Sequence, residues 1–348
     1  MNVVYDDIIY SLQKHGGVSV YWSEITRNDI DSVLRIVYDS AKNNQTYDEN
    51  LIKSSVVKSS RFLMLKRFLP LKVHKWKNDP FVFHSSYYRY CCDKNAYNVT
   101  TIHDFTNEIY GKGLFAFVRK LRKRITVARS KGIICVSRNT LNDFNRFFPN
   151  YRGFTEVIYN GFDSKSYYKE PNVVKERVVL FVGARRYYKR FDLAVRLACK
   201  FSGVSLVIVG GGRLSNSEID LLERYMKNRY KKYDFICNDE LRTLYNKAFF
   251  LCYPSEYEGF GIPIIEAQAC GCPVVCQKKS CIPEVGRESV VYFSENEIEN
   301  SNSDVFKLNN PAFYKQKVDA GFMNVKRFSW DIARESVYGF YKKILSRM

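Results

Sequence analysis

At 348 residues, 46% hydrophobic and rich in Tyr and Phe, the chain is too apolar for a disordered protein and long enough for two domains of ordinary size. Its 55 Lys and Arg against 36 Asp and Glu give a formal charge of +19, which implies an anionic partner: nucleic acid, an acidic membrane face or a phosphorylated substrate. No apolar run approaches the ~20 residues of a spanning helix, and ten cysteines behind a start without a basic, then apolar leader predict a reducing cytosol.

Residues 2–5 predict a short strand leading into the loop 12–22. There Gly16 and Gly17 free the backbone ahead of an amphipathic helix with Val20 and Ile25 on one face and Glu24 and Arg27 outward. Residues 38–78 predict a helix or two with a polar loop at 43–50, and eight cations without an acid lie between 53 and 77. The apolar runs 81–83 and 99–102 predict strands with polar ends, His84, Ser85 and Ser86 after the first and His103 and Asp104 after the second. Residues 113–131 predict a helix on which Leu114, Phe117, Val118, Leu121, Ile125 and Ala128 recur at three- and four-residue intervals among Arg119, Lys120, Arg122, Lys123, Arg124 and Arg129. Such a helix lies on an anionic membrane, at roughly 1 kcal/mol per basic residue, or packs on the sheet with a solvated basic side. Spacing leaves both open. A buried strand at 132–137, a helix at 138–147 and the Asn160-Gly161 turn close the first domain, with the break placed near residue 165 in a polar hinge.

The second set of strands starts at 177–182 and runs into Gly183-Ala184-Arg185-Arg186-Tyr187-Tyr188-Lys189. Two cations four apart at a strand end suit a diphosphate, and equally suit a basic surface loop. Residues 204–209 form a strand ending in Gly210-Gly211-Gly212-Arg213, which lacks the Lys-Ser/Thr of a P-loop. The apolar strand 248–253 stops at Pro254, a glycine-rich turn follows, and Pro263 suits the first position of a helix that ends at Gly271. Glu258 and Glu266 frame this turn. They suit hydroxyls at two ends of one ligand, while Gly259, Gly261 and the free amides at the helix start favour an anion between them; a sugar nucleotide has all three. Cys270, Cys272, Cys276 and Cys281 lack zinc spacing and a nearby His, and read as buried thiols.

The Glu-x7-Glu spacing from Glu258 to Glu266, with Gly259-Phe260-Gly261-Ile262-Pro263 between and Ala269-Cys270-Gly271-Cys272-Pro273-Val274 after, resembles the signature of retaining GT-B glycosyltransferases, the large family four. The resemblance runs along nearly the whole chain and is better in the second half. It implies an α/β, GT-B fold of two Rossmann-like domains facing each other across a cleft. Residues 1–165 would be the acceptor domain and 166–328 the nucleotide-sugar donor domain, with 329–348 a helix crossing back to the first.

The resemblance also implies transfer of a sugar from a nucleoside diphosphate to a hydroxyl, with retention and without a metal. Arg185 and Lys189 would neutralise the diphosphate, Arg186 being able to replace Arg185, and the amides of Gly259, Phe260, Gly261 and Ile262 would add to them. Glu258 would fix the sugar hydroxyls, Glu266 the ribose, and Ile236 would meet the base through its backbone. Gly16, Gly17 and Gly183 would lie near the donor phosphates and His103 would contact the sugar. Val20 stands where the family commonly has Arg. The basic first half suggests an anionic, membrane-bound acceptor such as a polyprenyl-diphosphate-linked saccharide. The matched motifs look most like those of bacterial surface-polysaccharide enzymes, which implies O-antigen or capsule assembly on the cytoplasmic face of the plasma membrane; a GDP-linked, mannose-like or 6-deoxy sugar is the first expectation for the donor, with UDP and dTDP sugars open. Two rivals compete: a nucleic-acid-binding protein, which two carboxylates in the crevice disfavour, and a non-transferring sugar-nucleotide binder or epimerase of the same fold.

Overall fold

The computed structural model describes residues 1–14, 16–27, 32–47, 55–57, 69–73, 76 and 78–346. It divides into two compact units, Met1–Gly161 with Trp330–Met348, and Phe162–Ser329. Among the described residues no helix is long and apolar enough to cross a membrane.

In the first unit seven parallel strands pair in the order β3-β2-β1-β4-β5-β6-β7: β1 (Val3–Asp6), β2 (Val33–Tyr38), β3 (Ser55–Val57), β4 (Phe81–Ser85), β5 (Ala96–Ile102), β6 (Gly132–Cys135) and β7 (Phe154–Val157). The central strands are Val-, Ile- and Phe-rich along their whole length because helices cover both faces of a parallel sheet. The terminal helix Trp330–Leu345 packs into this unit, and at Gly132 its side chains leave no room for a Cβ, which would sit 2.4 Å from Ile344 Cδ1. Tyr341 on that helix lies 2.5 Å from Nδ1 of the buried His84.

The second unit has six parallel strands in the order β10-β9-β8-β11-β12-β13: β8 (Val178–Val182), β9 (Ser205–Val209), β10 (Tyr230–Tyr233), β11 (Phe250–Tyr253), β12 (Val274–Cys276) and β13 (Val291–Tyr292). Both sheets reverse their winding once, between β1 and β4 and between β8 and β11. At such a switch point the loops beyond the carboxyl ends of the two central strands diverge and leave a crevice.

Two expectations need correction. The stretch expected as helix from residue 38 holds the 3-10 turn Asp39–Asn43 and strand β3, and β2 precedes it; Val33 to Ile36 pair with Val3 to Asp6, which strand-forming Val and Ile favour. Most of the basic stretch 53–77, like His15, lies outside the described residues. On the helix Gly17–Ile25 the buried face is Ser19, Tyr21, Trp22 and Ile25, with Val20 half-exposed, because the two large aromatics take the inward positions.

The helix Gly113–Arg129 packs beside β5 with Arg119, Arg124 and Arg129 solvated, but it also leaves most of its apolar stripe outside the core. Its buried residues are Ala116, Arg122, Lys123, Thr126 and Val127, while Leu114, Phe115, Phe117, Leu121 and Ile125 are exposed. Arg122 is drawn inward by the carbonyls of Tyr88 and Tyr87, at 2.9 and 3.1 Å. Lys123 reaches the Asp104 carbonyl at 2.9 Å and the Glu108 carboxylate at 2.8 Å.

Candidate active site

The second unit's switch point gathers the charges. After β8 the chain makes the 3-10 turn Tyr187–Lys189, and Arg190 follows in the left-handed region at φ 47°. Arg190 ties this loop to the one after β11 by donating to Glu256 at 2.9 Å, and the Glu256 amide donates to the Tyr188 carbonyl at 2.8 Å. Held in this way, the Lys189 ammonium pairs with the Glu258 carboxylate and lies 5.6 Å from the centre of the Tyr253 ring. The Lys189 and Glu258 side chains remain 16% and 12% exposed, so each is partly desolvated yet open to a ligand. Ser280 fixes the Glu258 backbone, accepting from its amide at 3.2 Å and donating to its carbonyl at 2.7 Å.

Gly261, at φ 95°, turns the loop into the helix Ile262–Ala269, which has Pro in its first turn and no side-chain cap. An uncapped helix start concentrates amides and the positive dipole end, which suits a phosphate. Phe260 stacks edge-on against Phe328 with 5.6 Å between centroids and anchors the turn from below. Glu266 sits in the same helix and accepts from the Tyr245 hydroxyl at 3.1 Å. Burial pushes its carboxyl up to about 7, against the pull of the Tyr245 hydrogen bond and with a push from Asp163. Burial, Glu258 and, more weakly, Glu266 all raise the Tyr253 hydroxyl, which places that ring within the field of both carboxylates.

Arg185, expected at a diphosphate, is held by the glycine turn after β9. Its Nε donates to Glu218 at 2.8 Å, and its terminal nitrogens donate to the carbonyls of Gly210 at 2.6 Å, Gly212 at 2.8 Å and Arg213 at 2.9 Å. A Cβ at Gly211 would lie 2.5 Å from this guanidinium, so the triple glycine is the seat for Arg185. Arg186 is exposed, and its side chain has no ion-pair partner among the described residues. Gly183, at φ 127°, starts the loop, and Ile236 is half-buried beyond the end of β10, next to the exposed Phe235.

In the first unit, His103 follows β5 and stands edge-on to Tyr21 at 4.8 Å between centroids. Burial lowers its pKa to about 4, with Asp104 opposing and Lys123 assisting, so the imidazole is neutral; it has no hydrogen-bond partner among the described residues. Gly16 and Gly17 sit at the start of the helix Gly17–Ile25.

Sequence reasoning missed Tyr253 and Ser280. The position of Tyr253 as last residue of an apolar strand, just before Pro254, was the available signal for the first; Ser280 gave none. It also missed two buried carboxylates at the end of β1, Asp6 within the strand and Asp7 just after it. Cys270, Cys272, Cys276 and Cys281 are buried and unbridged.

Residues 164–308 match the family described as "Glycosyl transferases group 1". The O-antigen chain mannosyltransferase B of Escherichia coli is 31% identical over 124 residues, 35% of this chain and only 32% of its own length. An uncharacterised glycosyltransferase of Methanocaldococcus jannaschii is 24% identical over 94% of this chain and 95% of its own. Anabaena HepE, solved in complex with UDP-glucose, superposes over all of both chains with a TM-score of 0.70 at 18% identity and so shares the fold. The match over residues 164–308 places the second unit with the group 1 glycosyltransferases, a retaining hexosyltransferase family, and the two parallel Rossmann-like sheets give the chain the GT-B fold.

Proposed function

We propose that this glycosyltransferase moves a hexose from a nucleoside diphosphate-sugar to a hydroxyl of a lipid-linked saccharide, with retention and without a metal ion, at the inner face of the membrane during O-antigen- or capsule-type assembly. The observation that carries the donor half is the Lys189–Glu258 pair at the β8/β11 switch point, beside an uncapped helix start. In this reading a bound diphosphate draws Lys189 away from Glu258. The carboxylate is thereby released to accept from sugar hydroxyls.

As the bond from the anomeric carbon to the diphosphate oxygen lengthens, negative charge grows on the leaving group, where Lys189 and the amides of Gly259, Phe260, Gly261 and Ile262 stabilise it. The acceptor oxygen bonds to the anomeric carbon on the same face, and its proton passes to the departing phosphate oxygen. Glu266 receives the ribose hydroxyls and the backbone near Ile236 the base, while Gly183, Gly16 and Gly17 let backbone approach the donor. Arg185 assists the diphosphate from the rim of the Gly210–Arg213 turn; Arg186 is the alternative cation, and single alanine variants separate the two. His103, a neutral imidazole, serves the sugar as a hydrogen-bonding group rather than as a charge.

The name of the Escherichia coli relative supports a mannose-type donor, and the UDP-glucose bound to HepE supports a uridine one. Calorimetry of the purified protein with UDP, GDP, dTDP and CDP in the absence of metal decides between them. One nucleotide should bind selectively and be weakened in Lys189→Ala and Glu266→Ala; no binding by any of the four would sink the donor site.

A further inference from the structure

We infer that the outer face of the helix Gly113–Arg129, with a cationic concavity at the amino edge of β5, β6 and β7, is a docking surface for an acidic lipid bilayer, the concavity taking the phosphate of a lipid headgroup. The inference deepens the proposed lipid-linked acceptor and rests on that reading for its purpose, although the surface is argued from its own residues. Leu114 and Phe115 are 73% and 84% exposed, and Phe117, Leu121 and Ile125 continue the stripe along the helix. Large apolar side chains in one row are rarely left in water without a partner. Here the helix turns them outward while burying Arg122 and Lys123, the reverse of an ordinary sheet-covering helix.

Beside this stripe lies a concavity of about 1070 Å³ whose charged lining residues are Lys94, Arg124, Lys131 and Arg152, with no carboxylate among the residues that line it. Among the described residues none of the four is in an ion pair, although most of the described acids find cations elsewhere. A smaller hollow of about 270 Å³, walled by Phe117 and Leu121, shares Arg124, Phe147 and Phe148 with it, so apolar ridge and cationic pocket are one continuous surface.

The pocket's position separates it from the transfer chemistry. Ala96, Lys131 and Phe154 mark the amino ends of β5, β6 and β7, whereas His103 follows the carboxyl end of β5. Seven residues of strand span roughly 20 Å. A group bound in the pocket is therefore a docking group and not the reacting hydroxyl. Aliphatic Leu114, Leu121 and Ile125 offer nothing to a polynucleotide, and a second copy of this chain would set cations against cations. A bilayer with acidic headgroups satisfies both halves of the surface, the apolar ridge entering the acyl boundary and the cations meeting phosphates.

The test is co-sedimentation of the full chain with phosphatidylcholine vesicles, with and without phosphatidylglycerol, alongside nucleotide calorimetry on the same preparations. Two variants are compared, Phe117→Asp/Leu121→Asp for the ridge and Lys131→Gln/Arg152→Gln for the pocket. Wild type should bind only the acidic vesicles. At ~1 kcal/mol per cation the pocket variant should bind them about thirtyfold more weakly, and the ridge variant should lose binding, both with nucleotide affinity intact. Equal binding to both vesicle types, or unchanged binding in the pocket variant, overturns the inference. If the ridge variant fails to fold, the pocket variant, altered only at exposed side chains, still decides. A wild type that binds vesicles but no nucleotide would break the donor reading while sustaining the docking surface.

Discussion

The two units share a strand order and a switch point but fill it in opposite ways. In the first, the charges at the end of β1 are sealed. Asp7 is fully buried, gripped by Arg35 at 2.8 and 3.0 Å and by the Trp22 indole at 2.6 Å, and Asp6 is buried against Arg89, at 3.1 Å, and Ser85, at 2.8 Å. In the second, Lys189 and Glu258 hold one another yet keep an open side, and Glu266 has a single hydroxyl partner. Charges whose hydrogen-bonding capacity is used up inside the protein specify how loops and strands meet; charges left partly unsatisfied are available to a ligand.

That contrast predicts that mutations at the two switch points fail differently. Asp7→Ala leaves the Arg35 guanidinium buried without its carboxylate and should cost about 3–5 kcal/mol of stability, the largest effect expected in the molecule. Urea unfolding measures it. The double change Asp7→Leu/Arg35→Met should recover much of the loss, because an apolar pair of similar volume removes the stranded charge. If the single variant unfolds like wild type, the first unit's charges are not structural and the comparison fails.

Lys189→Ala should do the reverse, lowering kcat by about 10²–10³ as for a typical oxyanion donor while shifting the unfolding free energy by only about 1 kcal/mol, because water can reach the Glu258 it leaves behind. Steady-state turnover beside urea unfolding reads both. A large loss of stability with unchanged kcat would move Lys189 into the class of Arg35.

The same contrast explains what was legible in the sequence. The strands of the second unit announce themselves as apolar runs punctuated by Gly and Pro, and the turn from Pro254 to Pro263 carries its glycines where backbone geometry requires them, Gly261 at φ 95° among them. Strand β2 hid because Arg35 interrupts its apolar pattern, and the residue that neutralises it, Asp7, lies in another strand's loop. The outward-facing stripe of Gly113–Arg129 hid for a similar reason: Arg122 and Lys123 turn inward only because carbonyls at Tyr87, Tyr88 and Asp104 await them. Arg185 could be placed at the right loop, but its capture by Gly210, Gly212 and Arg213 depends on three consecutive left-handed glycines that no spacing rule encodes. Periodicity reports which residues share a face. It does not report which face meets the core when tertiary partners neutralise charge.

The smallest predicted effect is the sharpest test of the open switch point. Half-buried Glu266, raised from 4.5 to about 7, keeps its proton in the folded protein between those values while the unfolded chain has lost it. Its contribution to stability is therefore full below about pH 4.5 and lost as pH rises through about 7. Ligand binding should run the other way, because only the ionised carboxylate can accept from both ribose hydroxyls; the protonated form gives up one acceptor, worth about 0.5–1.5 kcal/mol. Nucleotide affinity measured by calorimetry should thus rise roughly threefold to tenfold from pH 6 to pH 8. In Glu266→Gln that slope should flatten, and the variant should gain more stability over wild type at the alkaline end than at the acid end. A wild-type affinity that is flat across this range, with the variant equally flat, would mean that Glu266 belongs with Asp7 as a charge the fold has already used.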